Sequence, residues 1–223
     1  MGIVRMGCPE DFILQLKEKF EIEEFVETGT YKGHTSIWAS KNFDSVKTIE
    51  NSQIIFDKYG VKLTGYQNIE RLFGNSADVI KKVASKSKIQ LFWLDAHWCG
   101  GDTFGTEDEC PLIEELETIK EMAHPESIIL IDDARLFMAP PPLPHNLKDW
   151  PTLHDIFDCL SNQYFSAVFD DVIFAGNKKN HIEYNDIIQQ YQTVQFNIQK
   201  RDQKRLISKV AKYSSLAMKK LSN

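Results

Sequence analysis

FVETGTYKGHTSIWASKNFDSVKTIE, the stretch from Phe25 to Glu50, reads as a strand, a glycine turn, a helix and a second strand that stops on an acid. An apolar run over Glu24 to Val26 enters a turn carrying Gly29 and Gly33, and the next apolar run ends at Glu50. That order of elements is the ribonucleoside-binding half of a doubly wound α/β sheet. The chemistry of the spacing is direct. Gly29 lets the chain turn sharply at the strand end, and the helix that follows offers unpaired N–H groups to an anionic part of a ligand. Glu50, at the tip of the second strand, is placed to accept hydrogen bonds from both hydroxyls of a ribose. The same residues also suit a bare strand-to-helix connection, so the rest of the turn decides.

A dinucleotide fingerprint, G-x-G-x-x-G, needs its second glycine so that backbone can approach a pyrophosphate. Here that place is Tyr31, which disfavours an NAD-dependent oxidoreductase. Glu27, just before the turn, would repel a diphosphate and suits a cationic ligand. S-adenosylmethionine (SAM) has an amino group, a sulfonium, a carboxylate and a ribose, and no phosphate. The run Val26-Glu27-Thr28-Gly29-Thr30 resembles motif I of class I SAM-dependent methyltransferases, and Glu50 resembles the acid that ends their second strand. The resemblance implies a SAM site made by Glu27, Gly29, Thr30, Gly33 and Glu50, with the methionine end at Gly29.

The rest of the chain repeats the alternation. Phe12, Ile13, Leu16 and Phe20 recur at helical spacing, predicting a helix from Asp11 to Phe20 beside the first strand. Strands are expected near 24–28, 45–50, 69–73, 89–95 and 127–132, with helices near 35–42, 51–59, 76–85 and 110–122. Such alternation produces a parallel sheet covered on both faces. IQLFWLDA and SIILIDDA are nearly continuous apolar runs, as central strands buried on both faces should be. After a helix over Thr152 to Leu160, YFSAVFDDVIFAG reads as two strands joined at Asp170-Asp171. A tight hairpin cannot continue a parallel sheet, and Asp-Asp is a weak two-residue turn signal. The hairpin resembles the antiparallel end of the methyltransferase sheet. The expectation is a seven-stranded, mostly parallel Rossmann-like α/β sheet over residues 1–180, with a basic helical extension over 181–223.

Three carboxylates stand where the fourth and fifth strands stop: Asp95 in FWLDAHW, and Asp132 and Asp133 in ILIDDAR. Adjacent strand tips would bring them together, and clustered carboxylates repel unless neutralised. A hard divalent cation, Mg²⁺ above all, does that with oxygen ligands. Alternatively Asp132 caps the loop, Asp133 is solvated and Asp95 binds a backbone N–H. The arrangement resembles metal-dependent O-methyltransferases of the catechol and macrocin types, in which these positions hold the cation that binds the acceptor hydroxyl. Asp95 would then be catalytic as well as a ligand. His97, two residues on, has the pKa range of a general base for a hydroxyl, or is a loop histidine held by Trp98 or a carboxylate. Arg135 either binds an anionic substrate group or neutralises a carboxylate. In the same family the place of Asn75 and Ser76 contacts the adenine; an N-cap role for Ser76 explains it equally. The glycine-rich run Trp98 to Gly105 has no Lys-Ser/Thr after it and suits a flap over the substrate rather than a triphosphate cradle.

Composition bounds the rest. The 223 residues fit one sizeable domain, 42% hydrophobic and 26% charged, as in soluble globular proteins. No apolar run approaches a membrane span and no signal-like segment opens the chain, so a cytoplasmic protein with thiol cysteines is expected. A zinc site from His97, Cys99 and Cys110 lacks paired spacing and an obvious fourth ligand. Residues 200–223 hold eight Lys or Arg against Asp202 alone; that +7 within an overall −6 leaves −13 elsewhere. An acidic body disfavours nucleic acid. In the tail Leu206, Ile207, Val210, Tyr213, Ala217 and Leu221 recur near period 3.6, without Trp or Phe, which favours docking or a homodimer over a membrane. The expected activity is SAM- and Mg²⁺-dependent O-methyl transfer to a small hydroxylated acceptor, a sugar or natural product. The alternatives are a related metal-site fold resembling cephalosporin hydroxylases and a non-catalytic SAM-binding accessory protein.

Overall fold

The computed structural model describes residues 7–97 and 109–221, with side chains described as far as Arg205. The glycine-rich run from Trp98 to Gly105, Cys99 and the apolar positions from Leu206 to Leu221 therefore lie outside the described residues or side chains. The chain divides into two compact units, Met1–Ile182 and Glu183–Asn223.

The first unit is built on one seven-stranded sheet. Its strands are β1 (Glu24–Thr28), β2 (Ser45–Glu50), β3 (Ile69–Phe73), β4 (Gln90–Leu94), β5 (Ile128–Ile131), β6 (Tyr164–Phe169) and β7 (Val172–Asn177). They lie in the order β3-β2-β1-β4-β5-β7-β6. The first five pair in parallel, and β7 runs antiparallel to both β5 and β6. Every residue of β1, β4 and β5 is buried, while β3, at the edge, has no fully buried residue. This is the doubly wound, mostly parallel sheet with a terminal hairpin that the apolar runs predict. Strands β4 and β5 stop one residue before Asp95 and Asp132, so each acid opens a loop.

Helices α1 (Glu10–Phe20), α2 (His34–Ser40), α3 (Gln53–Gly60), α4 (Ser76–Val83), α5 (Leu112–Met122), α6 (Arg135–Met138) and α7 (Leu153–Leu160) connect the strands. Helix α4 buries Ala77, Val79, Ile80 and Val83 on one face, a spacing that seats it in the core shared with Leu116 and Ile119 of α5. Helix α1 reaches past the first strand: its Lys17 lies 5.1 Å from the ring centre of Phe43, which packs on Phe25 of β1. The Phe12 ring of α1 meets Phe169 and Phe174, centroids 4.8 and 6.0 Å away, so α1 also covers the terminal hairpin. Helix α7 starts with a capping box in which Thr152 and Asp155 bond each other's backbone N–H.

The weak turn signal at Asp170-Asp171 has a structural explanation. Both residues are left-handed, with φ of 45° and 66°, as a two-residue hairpin of the twist-matching kind requires. Glycine would normally serve there. Asp171 instead places its carboxylate on the Arg135 guanidinium and backbone N–H, and its carbonyl accepts the Ala134 N–H at 2.8 Å. These bonds tie the hairpin to the loop after β5 and offset the backbone cost.

The second unit carries α8 (His181–Leu221), a helix continuous from the end of the first. Beyond Tyr191 none of its described side chains is buried. Among the described residues, no helix is long and apolar enough to cross a membrane.

Candidate active site

In a doubly wound sheet, ligands bind where the strand order reverses, at the carboxyl ends of the strands. Here that point lies between β1 and β4. Gly29, at φ 82°, leaves β1 so close to β4 that a Cβ on it would lie 2.1 Å from the Asp95 carbonyl oxygen. The approach is fixed by the Asp95 N–H, which donates to the Thr28 carbonyl and hydroxyl at 3.1 and 3.2 Å. Gly33, also left-handed, starts α2 and packs on Leu63. Tyr31 stands at φ 44°, so the chain keeps a glycine-like backbone there while carrying a side chain.

Glu50 and Glu27, both expected to face a ligand, are placed differently. Glu50 sits at the tip of β2, where its two oxygens accept the N–H groups of Tyr31 (3.0 Å) and Ser52 (2.8 Å). Each carboxylate oxygen has a second lone pair, so these bonds orient Glu50 and leave it able to accept further hydrogen bonds. Glu27 points inward. It is buried, takes hydrogen bonds from Ser36 and from Thr48 (2.7 Å), and Thr48 bonds Thr30 at 2.6 Å. Burial pushes its carboxyl up to about 7 against the lowering effect of those hydroxyls. Glu27 thus braces the Thr28–Thr30 turn from beneath. Asn75, not Ser76, is the N-cap of α4: its side-chain oxygen accepts the Ala77 N–H at 2.9 Å, and Ser76 is buried in the first turn. Gly74, at φ 141°, makes the approach to that cap, and its N–H bonds the Glu50 carbonyl, linking the tips of β2 and β3.

Asp95, Asp132 and Asp133 do gather at the neighbouring tips of β4 and β5, together with His97. Burial first, then the charges of Asp132, Asp133 and Glu27, push the Asp95 carboxyl well above its usual range. Asp132 rises to about 7 for the same two reasons, burial and the Asp133 charge, while its side chain accepts the Asp133 N–H at 2.8 Å. Asp133 goes the other way. Burial opposes its ionisation, but bonds from His97 and Arg135 hold its carboxyl below the ordinary range. His97 Nε2 lies 3.0 Å from Asp133 Oδ2, and Arg135 Nη1 lies 2.6 Å from Asp133 Oδ1. Because an ionised Asp133 can only accept, the His97 proton belongs on Nε2, and Nδ1 is turned toward Asp95 at 3.9 Å. Asp133 is therefore half-buried and bonded rather than simply solvated, and Arg135 neutralises carboxylates, Asp133 and Asp171, rather than standing ready for a substrate anion. Among the described residues no three acidic, His or Cys side chains are arranged to hold a metal ion. Cys8, Cys110 and Cys159 are free thiols.

The setting of His97 depends on residues that local patterns do not reveal. Its ring is buried against Trp150 and Phe137, centroids 5.5 and 6.4 Å away, and those two rings also meet each other at 5.7 Å. Trp150 is in turn held by Glu109, which accepts its indole N–H at 2.7 Å, the Asn146 N–H at 3.1 Å, and lies 3.1 Å from His145 Nδ1. One carboxylate thus fastens the Pro-rich segment after α6 over the carboxylate cluster. The sequence clue was Trp150 itself, since a buried indole needs an acceptor. Nothing local identified Glu109 as that acceptor.

No family model matches the chain, and no curated protein matches it by sequence. Solved structures do. The O-methyltransferase TomG from Streptomyces achromogenes, solved in complex with SAM, matches with a TM-score of 0.55 at 14% identity, over 78% of this chain and 82% of its own. An O-methyltransferase from Bacillus cereus in complex with SAH gives 0.56 at 14% identity, over 78% and 83%. A methyltransferase from Geobacter sulfurreducens gives 0.51 at 14%, over 78% and 80%. At such identities the likeness is one of fold: the chain has the Rossmann-like fold of class I SAM-dependent methyltransferases.

Proposed function

We propose that this chain is a SAM-dependent O-methyltransferase acting on a small hydroxylated acceptor such as a sugar or another natural product. The observation that carries the reading is the meeting, at the β1/β4 reversal point, of a braced glycine turn, an oriented ribose acid and a histidine–carboxylate cluster. The O-methyltransferases of the same fold that were solved with SAM or SAH support it. In the reaction the acceptor oxygen attacks the methyl carbon, the carbon–sulfur bond breaks, and S-adenosylhomocysteine leaves as a neutral thioether. The hydroxyl proton passes to a base. His97, held by Asp133 and sheltered by Trp150 and Phe137, is that base. Positioning supplies most of the rate, since oxygen, carbon and sulfur must lie in line with water kept out. Asn75 and Ser76, at the tip of β3, lie on the adenine side.

The donor types, hard carboxylate oxygens, suit a divalent cation, although among the described residues the side chains as they stand are not arranged as a ligand set. Asp95, Asp132 and Asp133 present hard oxygens, and the first two are raised because their charges are buried beside one another. These three would hold Mg²⁺, with Asp133 shared with His97 and Arg135. Bound there, the cation would favour the alkoxide form of the acceptor.

Calorimetric titration with SAM tests the cofactor assignment. Glu50→Ala should weaken binding by about 1.5–3 kcal/mol, the worth of hydrogen bonds to a charged group. Tight NADH binding with no SAM binding would overturn it.

We also assign the basic helical tail to docking on a second copy, because +7 in residues 200–223 faces −13 elsewhere in the chain. Removing residues 200–223 should turn a dimer into a monomer in sedimentation. A truncated protein of unchanged mass that no longer pellets with anionic vesicles would make the tail a membrane anchor instead.

A further inference from the structure

Away from the carboxylate cluster, an aromatic and basic patch stands on the turn after β1, on the end of α3 and on the 3-10 turn Val61–Leu63 that follows it. The rings of Tyr31 and Tyr59 are 6.1 Å apart, inclined at 56°. The Lys32 ammonium lies 5.0 Å from the Tyr31 ring centre, and Lys58 and Lys62 lie 5.1 and 5.5 Å from that of Tyr59. Two like charges thus share one ring, with a third on its neighbour. Lys47 and Lys88 reach Glu24 and Lys81 reaches Asp78, whereas Lys32, Lys58 and Lys62 have no ion-pair partner among the described residues. The nearest acid in sequence, Asp57, is bonded to Gln53.

The backbone beneath the patch is fixed. Tyr31 N–H is anchored on Glu50, and Gly33 is packed so tightly on Leu63, next to Lys62, that a Cβ there would lie 2.9 Å from it. The turn and the end of α3 are therefore held together before any ligand arrives. Three ammonium groups on two neighbouring rings leave a local excess of positive charge that cation–π contacts offset only in part. A dianion seated beside the rings would offset that excess. Lysine binds phosphate as a point charge, and a single carboxylate would engage only part of such an array. SAM carries no phosphate, so the cofactor reading leaves this patch unused.

We propose that Lys32, Lys58 and Lys62, framed by Tyr31 and Tyr59, form a subsite for the phosphate or diphosphate group of a small molecule. That this phosphate belongs to the methyl acceptor rests on the proposed transfer reaction; the anion subsite itself does not.

Calorimetry of the full chain with inorganic pyrophosphate at low salt tests it, comparing the native protein with the triple variant Lys32→Gln, Lys58→Gln, Lys62→Gln. The native chain should bind, more weakly as salt rises, and the triple variant should bind at least about tenfold more weakly, the sum of three exposed charge contacts. Its melting temperature should match the native value, and Lys58→Gln alone should give an intermediate loss. SAM affinity should stay within about twofold in Lys58→Gln and in Lys62→Gln, which lie outside the Gly29–Gly33 turn. Loss of pyrophosphate binding in a chain that never binds SAM would keep the subsite and remove the acceptor assignment. Equal pyrophosphate binding by native and triple variant, or none by the native chain, would overturn the subsite. So would far tighter binding of single-stranded DNA than of pyrophosphate, lost in the same variant, which would make the patch a nucleic-acid surface.

Discussion

Gly29→Ala is expected to destabilise the protein by about 2–5 kcal/mol, and two separate costs add up to that figure. An alanine at φ 82° sits in the left-handed region, which costs an L-residue roughly 1–2 kcal/mol. Its Cβ would also lie 2.1 Å from the Asp95 carbonyl oxygen and 2.7 Å from the carbonyl carbon, so backbone meets side chain with no rotamer to relieve it. Overpacking of that kind costs about 1–3 kcal/mol. Relief requires β1 and β4 to spread, and the bonds from Asp95 N–H to Thr28 are the first to lengthen. Domains of this size are stable by only about 5–15 kcal/mol, so urea denaturation should show the midpoint fall by a large fraction. Gly65→Ala is the matched control. A Cβ there meets nothing within 4 Å, and its midpoint should move little. Equal losses in the two variants would mean that the close approach of the strands is not what Gly29 serves.

The sheet was legible because its signal is local and repeated. Strands β4 and β5 are buried on both faces, so LFWL and IILI are apolar at every position, and no helix or loop needs such a run. The glycine turn was legible for a related reason: backbone strain is written at the residue that bears it. Glu50 and the three strand-end aspartates followed, because topology alone brings the tips of adjacent parallel strands together.

What was not legible depends on partners distant in sequence. Arg135 looked equally suited to a substrate anion or to a carboxylate, and only the hairpin, 36 residues on, brings Asp171 to it. Glu109 finds Trp150 across 41 residues. Glu27 was read from its place in a motif, and its hydrogen bonds from Ser36 and Thr48, 9 and 21 residues on, were not legible. The hairpin at Asp170-Asp171 was legible from the apolar runs on either side of it, but the turn itself was a weak signal because the tertiary bonds of Asp171 support it. Patterns of period reveal which way an element faces the core; they say little about which polar group meets which.

The second large effect concerns the carboxylate cluster, and two perturbations divide its roles. Removing divalent ions with a chelator should lower methyl transfer by about 10²–10³-fold, the rate equivalent of several kcal/mol of lost charge stabilisation. Mg²⁺ should restore it. His97→Ala should lower turnover by about 10²–10⁴-fold, the range for loss of a general base. Neither change should move SAM affinity by more than about twofold, since Glu50 and the Gly29 turn are anchored on β2 and β1 rather than on the cluster. The arrangement around Asp133 makes the pair of results informative. His97 and Arg135 occupy its two oxygens, so Arg135 already supplies one positive charge where a cation would supply two more. Should turnover persist undiminished in the chelator yet collapse in His97→Ala, the histidine–carboxylate pair acts alone and Arg135 is the only cation the site needs. Should the chelator abolish turnover while His97→Ala leaves it intact, His97 is a structural residue packed against Trp150 and Phe137. Loss in both assigns the proton to His97 and the oxygen to the cation, which is the division of work that the crowded carboxylates favour.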